Sequence, residues 1–287
     1  MSLPSDPTDS TTYVAAPVPR RRRRGVRGRW AIRGTSTKAE HAVFAIAGLL
    51  VPLALWMALS HSGILPKLFM PDPIRVVARF WIWMTREGFL QDTLVSLSRV
   101  SMGFLLAAAL ALPLGLLAGT FRPIQIFLEP VLDFIRYMPA VAFIPLVMLW
   151  FGIGETAKMA IIFIGTFFQM VLMMGDDVRS VAMTQIEAAQ TMGASKREVM
   201  WQVIFPAAAP ALLTTARVTL GWAWTYLVVA ELVSANDGLG YAILKAQRFL
   251  QTDKIFAGII VIGLIGLIQD QLLRWVHHRL FPWHGRG

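Results

Sequence analysis

The sequence predicts an all-α membrane protein with about six transmembrane helices, and three observations carry that prediction. Of its 287 residues, 56% are hydrophobic and 15% charged, where soluble domains hold roughly 25% charged. The hydrophobicity arrives in blocks of about 20 residues, the length at which an α-helix crosses a hydrocarbon core of roughly 30 Å. The alternating segments of about 10 residues that build outer-membrane barrels are absent.

Residues 1–19 are rich in Ser, Thr and Pro and poor in large apolar side chains, so they cannot bury enough surface to order themselves. Arg20 to Arg24, Arg27, Arg29, Arg33 and Lys38 follow directly. Residues 1–38 together predict a basic, disordered cytoplasmic tail, and 39–287 a membrane domain. The net charge of +10 would suit nucleic acid by sign alone. Its strongest cluster abuts the first apolar block, which favours a membrane flank, and no nucleic-acid partner is expected. A secretory signal peptide is not expected either, because the basic region begins too far in and the apolar block is long.

Spans are expected at about 41–60, 93–119, 128–151, 157–175, 208–233 and 255–276. Between the first two, Pro71 and Pro73 set a turn. Ile74, Val77, Phe80 and Trp81 then recur at helical spacing, as in an amphipathic helix lying at an interface. With the N-terminus inside, the outer segments hold eight basic residues: Lys67, Arg75, Arg79, Arg86, Lys158, Lys245, Arg248 and Lys254. The inner segments hold seventeen of the 27, nine of them in the tail, and Arg99 and Arg217 fall within spans. The positive-inside rule therefore puts both termini in the cytoplasm.

A polar island over 182–206, TQIEAAQTMGASKREVMWQVIFP at its centre, interrupts the apolar blocks on that same side. Thr184 and Glu187 have capping-box spacing, so a short helix is expected to start there. Gly193 is placed to end it in a left-handed conformation. Ser195 and Glu198 form a second box that opens another helix, which Pro206 is expected to kink or end at the membrane boundary. Ala188 and Ala189 leave one face of the first helix flat, open to close approach by another protein.

Nothing in the chain suggests catalysis. None of the six lysines follows a Gly, so no P-loop can hold ATP. There is no cysteine, no H-E-x-x-H and no G-x-S-x-G, and no metal site is expected. Ionisable residues within spans are costly, by at least about 2.5–3.5 kcal/mol, and default to functional candidates. Arg99, Arg217 and Glu231 could line an internal pathway or join helices; Gln169 and Tyr137 are weaker pathway candidates, as are Tyr226, Thr214 and Thr215. Asp133 and Arg136, spaced i, i+3, are expected to pair.

Glu187-Ala188-Ala189, three residues, Gly193, nine residues, then Val203-Ile204-Phe205-Pro206 resembles the EAA motif of ABC-importer permeases, EAA-x3-G-x9-I-x-L-P. Val stands for Ile and Phe for Leu. From about residue 60 to the C-terminus the chain is similar to the permeases for nitrate, sulfonates, taurine and bicarbonate. The stretches that carry this likeness are "TLVSLSRVSMGFLLAAALALPLG", "PVLDFIRYMPAVAFIPLVMLWFGIGE", "GWAWTYLVVAEL" and "GLGYAILKAQRFLQTDKIFAGIIVIGLIGLIQD".

The resemblance implies a type I importer fold with the 182–206 loop as its coupling helix. Glu187 would contact a cytoplasmic ATPase, Ala188 and Ala189 would pack at that interface, Gly193 would set the bend and Pro206 the membrane boundary. It also implies a second permease copy, two ATPase subunits that bind the ATP and Mg, a periplasmic or lipid-anchored binding protein, and residence in lipid of a bacterial inner membrane. The implied cargo is a small anion, moved by alternating access. Alternatives are a same-fold permease for a pyrimidine precursor or aromatic carboxylate, or an ion-coupled secondary transporter. The latter often shows inverted repeats, and none is evident here.

Overall fold

The computed structural model describes residues 37–283. Of the expected disordered tail over 1–38, residues 1–36 lie outside the described residues, as do the last four of the chain, and Lys38 already opens a helix. The chain divides into two units, 1–55 and 56–287. The first contains the opening turns of α1 (Lys38–His61). There the Thr37 hydroxyl accepts from the Glu40 N–H at 3.2 Å, and Glu40 accepts in return from the Thr37 N–H at 2.9 Å. This reciprocal cap satisfies two of the donors a helix start leaves open.

In the second unit, α2 (Pro73–Arg86) begins where Asp72 caps the Ile74 N–H at 2.9 Å and Pro73 takes the first helical position. It buries Val76 and Trp83, while Ile74, Val77 and Trp81 face outward. That outward stripe is the surface an interfacial helix offers to lipid.

Four long helices form the body: α3 (Phe89–Thr120), α6 (Glu155–Arg179), α9 (Phe205–Ser234) and α11 (Thr252–Leu280). α3 and α6 run parallel. A Cβ at Gly103 would touch Ile162, one at Gly115 Met174 and one at Gly119 Val178. With Ala107 and Ala111, both fully buried, these glycines place a small residue every fourth position along α3. Water cannot drive helices together inside a bilayer, so close backbone approach over small residues takes its place. α9 runs antiparallel to them, as its pairings Thr215–Asp177 and Glu231–Arg99 show.

Two expectations need correction. The third span, expected as one helix over 128–151, is broken: α4 (Arg122–Arg136) is followed by a 3-10 turn (Ala140–Phe143) and α5 (Ile144–Phe151), bent by 87°. Pro139 has no N–H and disfavours helix at the residue before it, so the chain turns over Tyr137 to Pro139. Counting the bent pair as one, six spans remain among the described residues.

The second correction concerns Pro206, which does not end a helix. A short α8 (Lys196–Glu198) widens into a π-helix (Val199–Ile204) and runs straight on into α9. The proline ring crowds the carbonyl four residues back and gives it no donor; a wide turn relieves that crowding without breaking the rod.

Candidate functional site

α7 (Met183–Thr191) and α8 form an exposed element at the end of the body where α6 stops and α9 starts. The Thr184 box is not made. Ala182 holds the extended N-cap conformation, so Thr184 is already inside the helix and its hydroxyl caps nothing. The helix end is as expected from Gly193, whose φ is +89°. The Ala194 N–H reaches the Ala189 carbonyl at 3.1 Å and the Gly193 N–H reaches Gln190 at 2.9 Å, the two bonds of a Schellman close. The second box is complete: Glu198 accepts from the Ser195 N–H at 2.7 Å, and Ser195 Oγ from the Glu198 N–H at 3.3 Å. Glu187 and Ala188 are exposed, as are Lys196 and Arg197. Ala189 is not part of that open face; it is buried against the chain's own core.

At the opposite end, Arg99 is 2% exposed and Glu231 fully buried. Arg99 Nη1 donates to Glu231 at 2.7 Å and to the Asp237 carbonyl at 2.9 Å. Its Nε and Nη2 hold Glu155 at 2.6 Å each, and Nη2 also reaches Asp237 Oδ1 at 2.5 Å. Glu231 accepts further from Ser96 Oγ at 2.8 Å and the Gly240 N–H at 2.7 Å, and Lys158 pairs with Glu155 at 2.7 Å. The cluster ties α3, α6 and α9 to α10 (Leu239–Arg248), and none of its buried side-chain nitrogens or oxygens lacks a partner among the described residues. Arg99 and Glu231 thus join helices, one of the two roles open to them. Glu155, Asp237 and Ser96 were not singled out in the sequence; the signal available was only that a buried arginine needs carboxylates.

Arg217 is likewise paired, to Asp270 at 2.8 Å, and Asp270 to Arg274 at 3.1 Å. Asp133 and Arg136 pair at 3.0 Å, as expected. Thr215 donates to Asp177 at 2.6 Å, and Thr214 to the Pro210 carbonyl at 3.0 Å.

Of the pathway candidates, Gln169 and Tyr226 lie on a cleft of about 250 Å³ beside the break in the third span. Its walls come from the end of α4 (Arg136), the 3-10 turn (Ala140, Phe143), α6 (Gly165, Phe168) and α9 (Trp222). Tyr137, at the break itself, is exposed, and its hydroxyl accepts from Arg136 at 3.1 Å.

Residues 111–282 match the family described as the binding-protein-dependent transport system inner membrane component. The chain belongs to this family. It is the membrane-spanning permease subunit of an ABC importer, a transport subunit rather than an enzyme, with ATP hydrolysis on a separate subunit. The permease is 35% identical over 252 residues to the taurine transport system permease protein TauC of Escherichia coli (strain K12), covering 86% of this chain and 92% of that one. It is 35% identical to the putative aliphatic sulfonates transport permease protein SsuC of Bacillus subtilis (strain 168), over 82% and 87% of the two chains. With the bicarbonate transport system permease protein CmpB of Synechococcus elongatus it shares 28% over 83% and 89%. Its fold is also that of the inward-facing MetNI methionine ABC transporter, with a TM-score of 0.57 at 20% identity over 69% of this chain and 98% of that chain. ABC importer permeases work with an ATPase and a substrate-binding partner.

Proposed function

We propose that this permease carries a small anion such as nitrate, a sulfonate, taurine or bicarbonate inward by alternating access, as a homodimer on two cytoplasmic ATPase subunits. The end bearing Glu187 faces the cytoplasm with both termini, and the Arg99 end receives a periplasmic or lipid-anchored binding protein. Glu187 makes a charge-assisted contact to the ATPase, Ala188 allows its close approach, and Gly193 sets the angle between α7 and α8. ATP and Mg bind only on the ATPase.

The observation that carries this reading is the unbroken rod from Ser195 to Ser234. It starts in the exposed element, is anchored there by a complete capping box, and carries Glu231 near its far end. A displacement of α7 and α8 therefore reaches the opposite side of the membrane as rigid-body motion of α9. For ATP and the loaded binding protein to drive transport, each must favour one of the two states over the other. The names of the TauC, SsuC and CmpB relatives support the cargo class.

Uptake by proteoliposomes holding the permease, its ATPase and the binding protein tests this. Accumulation should need internal-face ATP and vanish without the ATPase; uptake driven by an ion gradient with no ATPase present would refute it.

A further inference from the structure

The cleft at the broken span holds polar groups that the fold itself does not use. Gln169 and Trp222, with Tyr226, make no side-chain hydrogen bond among the described residues, although all three reach the cleft. Ile164 to Gln169 occupy the middle of α6, so this is lipid depth. Unsatisfied polar groups there cost several kcal/mol each unless they face a water-filled or occupied cavity. The fold also keeps the space open. At Gly165 a Cβ would lie 2.3 Å from the Tyr226 ring, so glycine lets that ring lie flat on α6 instead of filling the cleft.

Among the described residues, Arg136 is the one cation on its wall. Its Nε is held by Asp133 at 3.0 Å and its Nη2 donates to the Tyr137 hydroxyl at 3.1 Å. Nη1 is left to donate elsewhere. The Arg136 and Asp133 charges cancel, so a bare anion would bring net negative charge to mid-membrane, where charge is costly. A zwitterion would not. Its oxyanion suits Nη1, the Gln169 amide and the Tyr226 hydroxyl. Its ammonium suits the faces of Trp222, Phe143 and Phe168, which attract cations. A volume of about 250 Å³ holds roughly eight water-sized groups at about 30 Å³ each.

We infer that the cleft formed by Arg136, Gln169, Trp222 and Tyr226 is a substrate subsite within the permease, selective for a small zwitterion that joins an oxyanion to an ammonium over a few atoms. This rests on the anion-importer reading above and narrows its cargo. Discontinuous helices build substrate sites near the bilayer midplane in other transporters for the same physical reason, that broken backbone is tolerated only where it lines a cavity.

The test is equilibrium binding of 2-aminoethanesulfonate, ethanesulfonate and bicarbonate to the permease–ATPase complex in nanodiscs, without the binding protein. 2-Aminoethanesulfonate should bind at least about tenfold more tightly than ethanesulfonate, and bicarbonate more weakly still. Tyr226→Phe, which keeps the ring on Gly165, and Gln169→Ala should each weaken it about fivefold. Trp222→Leu should weaken 2-aminoethanesulfonate and leave ethanesulfonate nearly unchanged. Equal binding of all three solutes, or no response to Tyr226→Phe and Gln169→Ala, overturns the inference. If ATP-driven anion uptake persists in that case, the importer reading stands without it; binding as described but no ATP-driven uptake would refute the importer reading alone.

Discussion

Replacing Arg99 with Met should be among the most damaging single changes in this chain. Four carboxylate or carbonyl partners lose their donor, but they do not lose it equally. Glu155 and Asp237 are about half exposed, at 54% and 45%, and can turn to water at little cost. Glu231 is fully buried and cannot. Removing one partner of a buried pair costs about 3–5 kcal/mol, which at roughly 2–4 °C per kcal/mol lowers the unfolding midpoint by about 6–20 °C. Glu231→Met should cost less, because Arg99 keeps Glu155 and Asp237. The double variant Arg99→Met/Glu231→Met should be more stable than Arg99→Met alone, since no buried charge is left without a partner. Thermal unfolding of the purified permease–ATPase complex reads all three. A loss below about 1 kcal/mol for Arg99→Met, or a double variant as damaged as the sum of the singles, would refute the claim that Arg99 neutralises Glu231.

Other expectations follow from the same contacts. Gly119→Ala would put a Cβ 2.7 Å from the Gly175 carbonyl oxygen, backbone that cannot step aside; it should destabilise by about 1–3 kcal/mol, while Gly263→Ala, with open space around it, should not, as unfolding of both variants will show. Gly193→Ala has room for its methyl but not for a φ of +89°, so it should cost about 1–2 kcal/mol and lower ATPase affinity in co-purification. Glu87 lies outside the spans. Burial raises its carboxyl, but Lys254 at 2.6 Å and Arg79 at 2.7 Å more than offset this and hold it below the usual glutamate value. Its contribution is complete above the unfolded value of about 4.3 and is lost as pH falls through the lower folded one. The stability gap between wild type and Glu87→Gln should therefore close on acidification below about pH 4.3, and a constant gap would contradict the pairing.

The parts of this fold that depend on local pattern were legible in the sequence. Apolar block length marked the spans, and the Ser195 box and Gly193 marked the α7–α8 bend because caps act over three or four residues. What failed shows where local pattern stops. Thr184 and Glu187 have the right spacing, yet the helix is capped at Ala182's extended backbone, two residues too early for that box. Hydropathy runs on through Pro139 and cannot register an 87° bend. Ala189 was placed on the wrong face because its burial is set by the core cluster rather than by its own helix. Arg99 and Glu231 are 132 residues apart, and their pairing depends on how four helices pack. One signal was present and unread: Gly103, Ala107, Ala111, Gly115 and Gly119 repeat every fourth residue, the spacing of a close helix seam.

The central claim is that Glu187 transmits the ATPase stroke through α8, the π-helix and α9. Its most direct measurement is ATP-driven uptake and ATP hydrolysis, recorded together in proteoliposomes carrying Glu187→Ala permease. Loss of a charge-assisted bond of about 1.5–3 kcal/mol should lower uptake at least about tenfold relative to ATP hydrolysed, with insertion and the unfolding midpoint unchanged. Uptake and hydrolysis both at wild-type levels would contradict it.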